Sequence, residues 1–197
     1  MRVSVIGTSG SGKTTFASQL AGRLGARHIQ LDAINWQAGW RDLNTHDPDE
    51  FRRRVAQAAA DEAWVACGNY SKVRDLVQAR ATHLVWLDYP RALVMARVLR
   101  RSFARAWSGD ELWPGTGNRE TFGRWLDREH PIRWAWDTYA NRKARYGPMM
   151  TDPALAHLER HRVTRPWEAE ALLARLVAEF LPRLQRERGT AKRWRGR

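Results

Sequence analysis

Residues 7–14 contain glycine, lysine and threonine at a spacing that is typical of phosphate binding. They read Gly-Thr-Ser-Gly-Ser-Gly-Lys-Thr, a complete G-x-x-x-x-G-K-[ST] pattern. The glycines let consecutive backbone N–H groups turn inward around a phosphate chain. Lys13 offers a positive charge to the β- and γ-phosphates, and Thr14 offers a hydroxyl to Mg²⁺. The predicted nucleotide contacts are Gly7, Thr8, Ser9, Gly10, Ser11, Gly12, Lys13, Thr14 and Thr15.

The sequence on either side of this loop fits a strand and a helix. Residues 3–6 are mostly apolar and are typical of a buried strand, whereas Phe16, Leu20 and Leu24 are spaced four apart and form one helical stripe. A helix that begins at the loop presents free N–H groups and a positive dipole to an anion. The segment therefore predicts a strand, a phosphate-binding loop and a helix.

Composition limits the class of protein. The chain has 197 residues, with 43% hydrophobic and 28% charged, which is typical of a globular domain. Cys67 is the only cysteine, so an intramolecular disulfide and a four-cysteine metal site are both excluded. The chain begins directly with the first predicted strand and contains no apolar run of membrane-spanning length. We expect a cytoplasmic protein without a membrane partner, either a monomer or a homodimer.

The positive charge is concentrated in two segments. The formal net charge is +13; residues 91–146 hold 12 basic and 6 acidic residues, and residues 182–197 hold 7 and 1. A basic surface can serve solubility and weak attraction to polyanions. The sharper interpretation of the first segment is a set of arginines that converge on phosphates. The second segment is predicted to be a flexible tail through which contact with nucleic acid is conceivable.

Strand and helix patterns alternate along the chain. Strands are expected at residues 3–6, 28–32, 63–67, 83–87 and 158–163. Helices are expected at residues 15–24, 48–60, 71–80, from about 90 to 101, 119–145 with a break near Pro131, and 166–181, with a loop over 108–118. Such alternation predicts an α/β fold with a parallel sheet, and ligands bind at the carboxyl ends of its strands. Asp32, Cys67 and Asp88 should then share one edge with the loop.

With these motifs in place, the chain resembles the small P-loop kinases, among them the adenylate and shikimate kinases. It is most similar to bacterial adenylate-kinase-like proteins that are often labelled DNA topology modulation proteins. The resemblance rests on residues 7–14, 31–33, 36, 39–40, 68–71, 87–91, 111–113 and 117–120. It implies a three-layer P-loop NTPase fold with a five-stranded parallel sheet in the order 2-3-1-4-5. It further implies one domain over residues 1–181, with an arginine-rich lid at about 102–124, and the tail at 182–197.

The resemblance also implies how ATP and Mg²⁺ would be used. Phosphoryl transfer needs positioning and charge neutralisation around the γ-phosphate, which Lys13 and three arginines are expected to supply. Arg97 and Arg101 are four apart and share one helix face, and Arg119 follows the glycine-rich loop, where a closing lid would deliver it. The alternative is that these arginines are solvated charges on helix surfaces.

The acceptor is expected to bind beside the second strand. Asp32 is a candidate base for an acceptor hydroxyl, or else a cap for the following turn. Trp36, Asn69 and Tyr70 are candidate acceptor contacts. The family usually has an acid where this chain has Cys67, so support of Mg²⁺ would fall to Asp32 or to Asp88, for which a structural role is equally expected.

Two functions fit these features. The first is an ATP-dependent kinase that phosphorylates a small molecule, with a nucleotide as the expected acceptor. The second is a nucleotide-binding regulator that acts on nucleic acid and has weak or no phosphotransfer, as Cys67 and the basic tail suggest. A GTPase is disfavoured because the chain has no Asn-Lys-x-Asp guanine motif.

Overall fold

A five-stranded parallel sheet organises the protein. The structure, a computed structural model, describes residues 1–125, 127–128 and 130–194, and over 181–194 it describes the backbone alone. The strands of the sheet are β1 (Arg2–Gly7), β2 (Arg27–Gln30), β3 (Trp64–Cys67), β4 (His83–Leu87) and β5 (Glu159–Val163). Every pairing in this sheet is parallel.

The strand order matches the expected topology. Across the sheet the order is β2-β3-β1-β4-β5, which is the predicted 2-3-1-4-5. Two further two-residue strands, Trp36–Gln37 and Arg41–Asp42, pair as a separate hairpin between β2 and β3 in the chain. If they are counted, the same order becomes 2-5-1-6-7. The predicted α/β fold with a five-stranded parallel sheet is confirmed.

Helices cover both faces of the sheet. They are α1 (Lys13–Leu24), α2 (Leu31–Asn35), α3 (Leu43–His46), α4 (Pro48–Ala58), α5 (Arg74–Arg80), α6 (Arg91–Ser108), α7 (Pro131–Met149) and α8 (Pro166–Trp194). Short 3-10 turns lie at Ala38–Trp40, Ser71–Val73, Phe122–Arg124 and Pro153–Leu155. No helix of the described residues is long and apolar enough to cross a membrane.

Alternation along the strands produces two apolar cores. Val3 and Val5 point from β1 to the face covered by α1 and α8, where they pack with Phe16 and Leu20. Ile6 points to the opposite face, which packs against α4, α5 and α7. Because successive side chains of a strand face opposite ways, the central strand β1 anchors both layers and fixes the loop that follows it.

Several predicted elements differ in extent from the observed ones. The predicted strand 28–32 ends at Gln30, because Leu31 begins the short helix α2 and turns the chain away from the sheet. The predicted helix 119–145 is α-helical only from Pro131, which occupies the first helical position behind His130 as N-cap. Before it, Arg119 forms an isolated bridge with Glu111, and Phe122–Arg124 is a 3-10 turn.

The C-terminal helix α8 runs over Pro166–Trp194, beyond the predicted end at residue 181. Its apolar stripe, which includes Leu172, Leu173 and Leu176, is buried against the sheet. The charged side chains of the predicted tail 182–197 lie outside the described side chains, so flexibility of that tail stays a prediction.

Candidate functional site

The loop between β1 and α1 has the backbone of a phosphate-binding loop. Gly10 and Gly12 have φ values of 86° and 88°, a region that L side chains rarely adopt, and Gly12 is the N-cap of α1. A Cβ atom at Gly10 would lie 2.7 Å from the carbonyl oxygen of Val94 on α6. The loop is therefore packed closely against α6, so Gly10 is required by space as well as by φ, whereas Gly12 is required by φ alone.

Lys13 lies in the first turn of α1 and folds back over the loop. Its Nζ donates a hydrogen bond to the carbonyl oxygen of Thr8 at 2.9 Å. Burial and, to a smaller extent, the nearby guanidinium of Arg142 lower the pKa of Lys13 to about 8, against the opposing effect of Asp32. Lys13 is thus a cation in a site with too little negative charge, and a bound anionic ligand would supply the missing negative charge.

Two of the predicted arginines reach the loop from α6. The Nη1 atom of Arg97 lies 3.4 Å from the carbonyl oxygen of Ser11, and its guanidinium stacks over the ring of Tyr89. Arg101 donates to the hydroxyl of Ser9 at 3.3 Å, and burial lowers its pKa. The spacing of four residues puts both guanidinium groups against the loop, as the helical pattern predicted for them.

Asp32 and Tyr70 form a hydrogen-bonded pair beside Lys13. Asp32 stands in the first turn of α2, and the hydroxyl of Tyr70 donates to its Oδ1 at 2.7 Å. Burial and the Asp32 carboxylate raise the pKa of Tyr70 well above its ordinary value, so the phenol stays protonated. The pair presents one hydrogen-bonded carboxylate close to the loop lysine.

Arg142 joins the site without having been predicted from the sequence. It projects from α7, where its Nε donates to the hydroxyl of Thr138 at 3.1 Å. It is close enough to influence the pKa of both Lys13 and Tyr70. No motif marks it, because it reaches the site only through the packing of α7 beside α6. The sequence carries one indication: Arg142 stands four residues before Tyr146, so the two share one face of a helix. In the structure Tyr146 is buried.

Asn69 serves the loop itself rather than a separate pocket. Its side-chain oxygen accepts a hydrogen bond from the backbone N–H of Gly7, and its side-chain nitrogen donates to the carbonyl oxygen of Gly7. This pair of contacts ties β3 to the start of the phosphate-binding loop. Both amide atoms are engaged there, which leaves Tyr70 as the member of the predicted Asn69–Tyr70 pair that faces Asp32.

The segment over residues 109–124 docks on the hairpin formed by residues 36–42. Buried Asn118 donates to the carbonyl oxygen of Gln37 and accepts from the backbone N–H of Trp40, both at 2.9 Å. Trp36 stacks on Trp113 with ring centroids 6.2 Å apart and planes at 15°. The predicted acceptor contact Trp36 is therefore packed against the segment that the sequence assigns to the lid.

Arg119 lies away from the loop in this arrangement. Its Nη1 donates to the carbonyl oxygen of Gly109 at 2.7 Å, which closes the end of α6. The three predicted arginines are thus divided: Arg97 and Arg101 are at the loop, whereas Arg119 holds the base of the docked segment. Delivery of Arg119 to a phosphate stays a prediction that requires movement of this segment.

Cys67 and Asp88, the two other residues expected at this edge, offer no free charge. Burial raises the pKa of the Cys67 thiol to about 11, and its Sγ lies 3.9 Å from the Oγ1 of Thr14. Asp88 is buried and accepts two hydrogen bonds from Arg162, with Lys143 at 3.7 Å. Asp88 is therefore a structural anchor, and Asp32 is the acid that remains near the loop.

The backbone is similar to those of solved small P-loop kinases. A shikimate kinase from Acinetobacter baumannii in complex with shikimate gives a TM-score of 0.55 at 19% identity, covering 92% of this chain and 93% of that one. A shikimate kinase from Bacteroides thetaiotaomicron gives 0.56 at 15%, covering 89% and 96%. An unliganded sugar kinase from Janibacter sp. gives 0.54 at 18%, covering 93% and 96%.

These similarities establish the fold, which is that of the small P-loop kinases. They extend over almost the whole chain. No family model and no curated protein matches the sequence. The closer kinship with adenylate-kinase-like DNA topology modulation proteins stays a prediction.

Proposed function

We propose that the protein is a kinase that transfers the γ-phosphoryl group of ATP to a hydroxyl group of a small, negatively charged acceptor. One observation carries the proposal: Lys13, Arg101 and Arg142 converge from three helices on a site that contains the Asp32–Tyr70 pair. Phosphoryl transfer needs cations around the transferred group and a residue that orients the nucleophile. This cluster contains both.

The ATP side is the loop of residues 7–14 with Lys13, Arg97 and Arg101. Backbone N–H groups and the start of α1 would bind the phosphates, and the three cations would balance their charge. The low pKa of Lys13 supports this assignment, because a cation that is disfavoured alone gains most from a polyanionic ligand.

The oxygen donors near the loop fit Mg²⁺. The exposed hydroxyl of Thr14 would hold the ion together with phosphate oxygens, and Asp32 is the nearby carboxylate; the neutral Cys67 thiol is a poor ligand for so hard an ion. Bound there, Mg²⁺ would neutralise charge on the β- and γ-phosphates.

The acceptor side is Asp32, Tyr70 and Arg142. Tyr70 holds one oxygen of Asp32, which leaves the other oxygen to accept the proton of an attacking hydroxyl. Arg142 can pair with a carboxylate or phosphate of the same acceptor. This favours a hydroxylated anion over a nucleoside monophosphate, whose attacking phosphate oxygen needs no base. The neighbours named for shikimate and for sugars also support a hydroxyl acceptor.

An acceptor screen tests the proposal. ADP release would be measured with Mg²⁺ and ATP against hydroxy acids, sugar acids, neutral sugars and nucleoside monophosphates. We expect release that depends on an anionic hydroxyl compound. Asp32→Asn should lower kcat by about 10²–10⁴-fold, and Arg142→Gln should mainly raise KM for the acceptor. Asp61→Asn and Arg145→Gln, at exposed positions outside the site, are the matched controls.

Two outcomes would contradict the proposal. Hydrolysis of ATP that no acceptor stimulates would favour the regulator that the sequence also allowed. A nucleoside monophosphate as the best acceptor, with kcat insensitive to Asp32→Asn, would show that the attacking group needs no base and would move the acceptor back to the nucleotide expected from the sequence.

A further inference from the structure

A second cluster, made of two histidines and a glutamate, lies near the amino-terminal ends of β4 and β5, which we call the amino edge. This is the opposite end of the sheet from the phosphate-binding loop. His83 is the first residue of β4 and is paired in register with Glu159, the first residue of β5; His161 follows two residues later on the same face. The two imidazole rings stack with centroids 5.9 Å apart. Nothing in the proposed kinase chemistry uses these three residues.

Their ligand atoms have the spacing of a metal site. The Nε2 of His83 lies 3.3 Å from Glu159 Oε2, and the Nε2 of His161 lies 3.2 Å from Glu159 Oε1. One ligand atom from each of the three residues falls within 4.8 Å of the other two. Two ligands of a tetrahedral Zn²⁺ ion with bonds of ~2.0–2.1 Å are themselves about 3.3–3.4 Å apart. The two histidine–carboxylate separations are close to this value, each to a different oxygen of Glu159.

Hydrogen bonding leaves the Nε2 atom of His83 facing a carboxylate. The hydroxyl of Thr82 donates to the carbonyl oxygen of Arg2 at 2.9 Å, so it accepts from the Nδ1–H of His83, which lies 2.8 Å away. The buried Nε2 then carries a lone pair, and it has no hydrogen-bond partner among the described residues. Two lone-pair atoms at 3.3 Å repel each other unless a cation lies between them.

Burial and exposure also fit an ion site. The side chains of His83 and His161 are 5% and 11% exposed, whereas Glu159 is 51% exposed and opens the cluster to solvent. The hydrogen bond from His83 to Thr82 is the kind of outer contact that orients a metal-bound imidazole.

Arg175 on α8 now occupies the outer side of the cluster. Its Nη2 lies 3.1 Å from the Nδ1 of His161, and it stands 3.8 Å from Glu159 Oε1. An arginine only donates, so His161 here carries its proton on Nε2. Metal binding requires Arg175 to withdraw and this proton to move to Nδ1. The side chain of Arg175 is 59% exposed, so withdrawal is unobstructed on the solvent side.

We propose that His83, Glu159 and His161 form a zinc site that fastens the edge strand β5 to β4. Two imidazoles and one carboxylate are a common zinc ligand set, with a fourth position for water or another side chain. Glu179 on α8 acts electrostatically on both imidazoles and is a candidate for that fourth position. The distance from the phosphate-binding edge makes the site structural, because it touches neither ATP nor the acceptor.

Zinc titration of the tag-free full-length protein tests the site. A chromophoric chelator would compete for Zn²⁺ with the wild type and with Glu159→Gln, His161→Gln and His157→Gln. We expect one tightly held Zn²⁺ per wild-type chain. Glu159→Gln and His161→Gln should weaken binding at least as much as the 10–100-fold typical of losing an outer-shell partner. His157→Gln, an exposed histidine four residues from His161, should bind as the wild type does.

Two further measurements keep the proposal falsifiable if a histidine variant folds poorly. Co²⁺ should give the intense visible absorption of a tetrahedral site in the wild type and lose it in Glu159→Gln. Zn²⁺ should raise the Tm of the wild type and of Arg175→Ala but leave that of Glu159→Gln unchanged. The proposal is overturned if the wild type takes up no zinc saturably. It is also overturned if Cys67→Ser or His28→Gln removes the uptake while Glu159→Gln retains it.

Discussion

At the two ends of the strands in this sheet, the side chains are unbalanced in opposite ways. One end has an excess of cations, and the other has an excess of metal-ligand groups. At the carboxyl edge, Lys13, Arg101 and Arg142 share a site with the acid Asp32. At the amino edge, two neutral imidazoles face one carboxylate at Glu159. The first set is carried by helices that follow the strands, whereas the second is carried by the strands themselves. Helix-borne cations can adjust to a large polyanion, and strand-borne ligands are fixed for a compact ion.

Strand β5 contributes residues at both ends of the sheet, so it links the two regions. Its amino end supplies Glu159 and His161, and its carboxyl end supplies Arg162, which neutralises Asp88. The five residues of β5 thus supply two of the three cluster residues at one end of the sheet and the partner of Asp88 at the other. Changes along β5 can show whether the two edges act independently.

The largest expected effect is at Lys13. Lys13→Ala removes the charge from the phosphate-binding loop, and we expect phosphotransfer to fall by at least ~10²-fold, the loss typical of removing one preorganised electrostatic contact. The readout is acceptor-dependent ADP release. Lys72→Ala, an exposed lysine outside the site, and Glu159→Gln at the other edge should keep wild-type rates. Equal losses in Lys13→Ala and Glu159→Gln would show that the edges are coupled.

The next largest effect is on stability at Arg162. Arg162→Ala leaves the buried carboxylate of Asp88 with Lys143 alone, so we expect a loss of about 2–3 kcal/mol in the free energy of unfolding. This is below the 3–5 kcal/mol for breaking a fully buried pair, because Arg162 is half exposed. Urea unfolding measures it, with Arg165→Ala as the exposed control. A change no larger than that of the control would contradict the structural role given to Asp88.

A smaller effect is the pH dependence of nucleotide binding. The pKa of Lys13 is lowered to about 8, so the ammonium is mostly charged at pH 7 and mostly neutral at pH 9. If the phosphates bind the charged form, affinity for ATP should fall about tenfold between these pH values, with proton uptake on binding at pH 9. Calorimetry in buffers of different ionisation enthalpy measures the uptake. Wild-type uptake that persists in Lys13→Ala would assign the proton to another group.

The smallest effect is expected where residues 109–124 dock on the hairpin. Asn118→Ala removes two hydrogen bonds, which contribute about 0.5–1.5 kcal/mol each, while the Trp36–Trp113 stack remains. We expect a loss of amide exchange protection of at least about fivefold in residues 36–42 and 109–124, and no change in β4 and β5. Thr121→Ala, an exposed threonine in the same segment, is the control. Protection as strong as in the wild type would show that the tryptophans alone hold this segment.

The sequence predicted the parts of the site that local chemistry determines. The spacing within residues 7–14 requires a glycine-lined turn, and the spacing of Arg97 and Arg101 requires a shared helix face. Both predictions agree with the observed contacts to the loop. The strand order 2-3-1-4-5 also followed, because the resemblance implied it, and the three central strands were visible as apolar runs.

What the sequence did not reveal depends on contacts between distant segments. Arg142 lies some 130 residues from Lys13 and meets it only through the packing of α7. The amino-edge cluster joins His83 to Glu159 through strand register, which no local spacing encodes. Pro131 marked the true start of α7, but the irregular stretch before it contains enough apolar residues to match a helical pattern.

The reactivity of the Cys67 thiol provides a measure of how often the nucleotide site opens. The thiol is the one cysteine of the chain, it is 3% exposed, and burial raises its pKa to about 11. A thiol reagent can therefore modify it only while the structure around Cys67 is locally open. The rate of labelling reports how often that happens, and a ligand bound over Thr14 should slow it. Cys67 is thus a natural reporter that needs no engineered label.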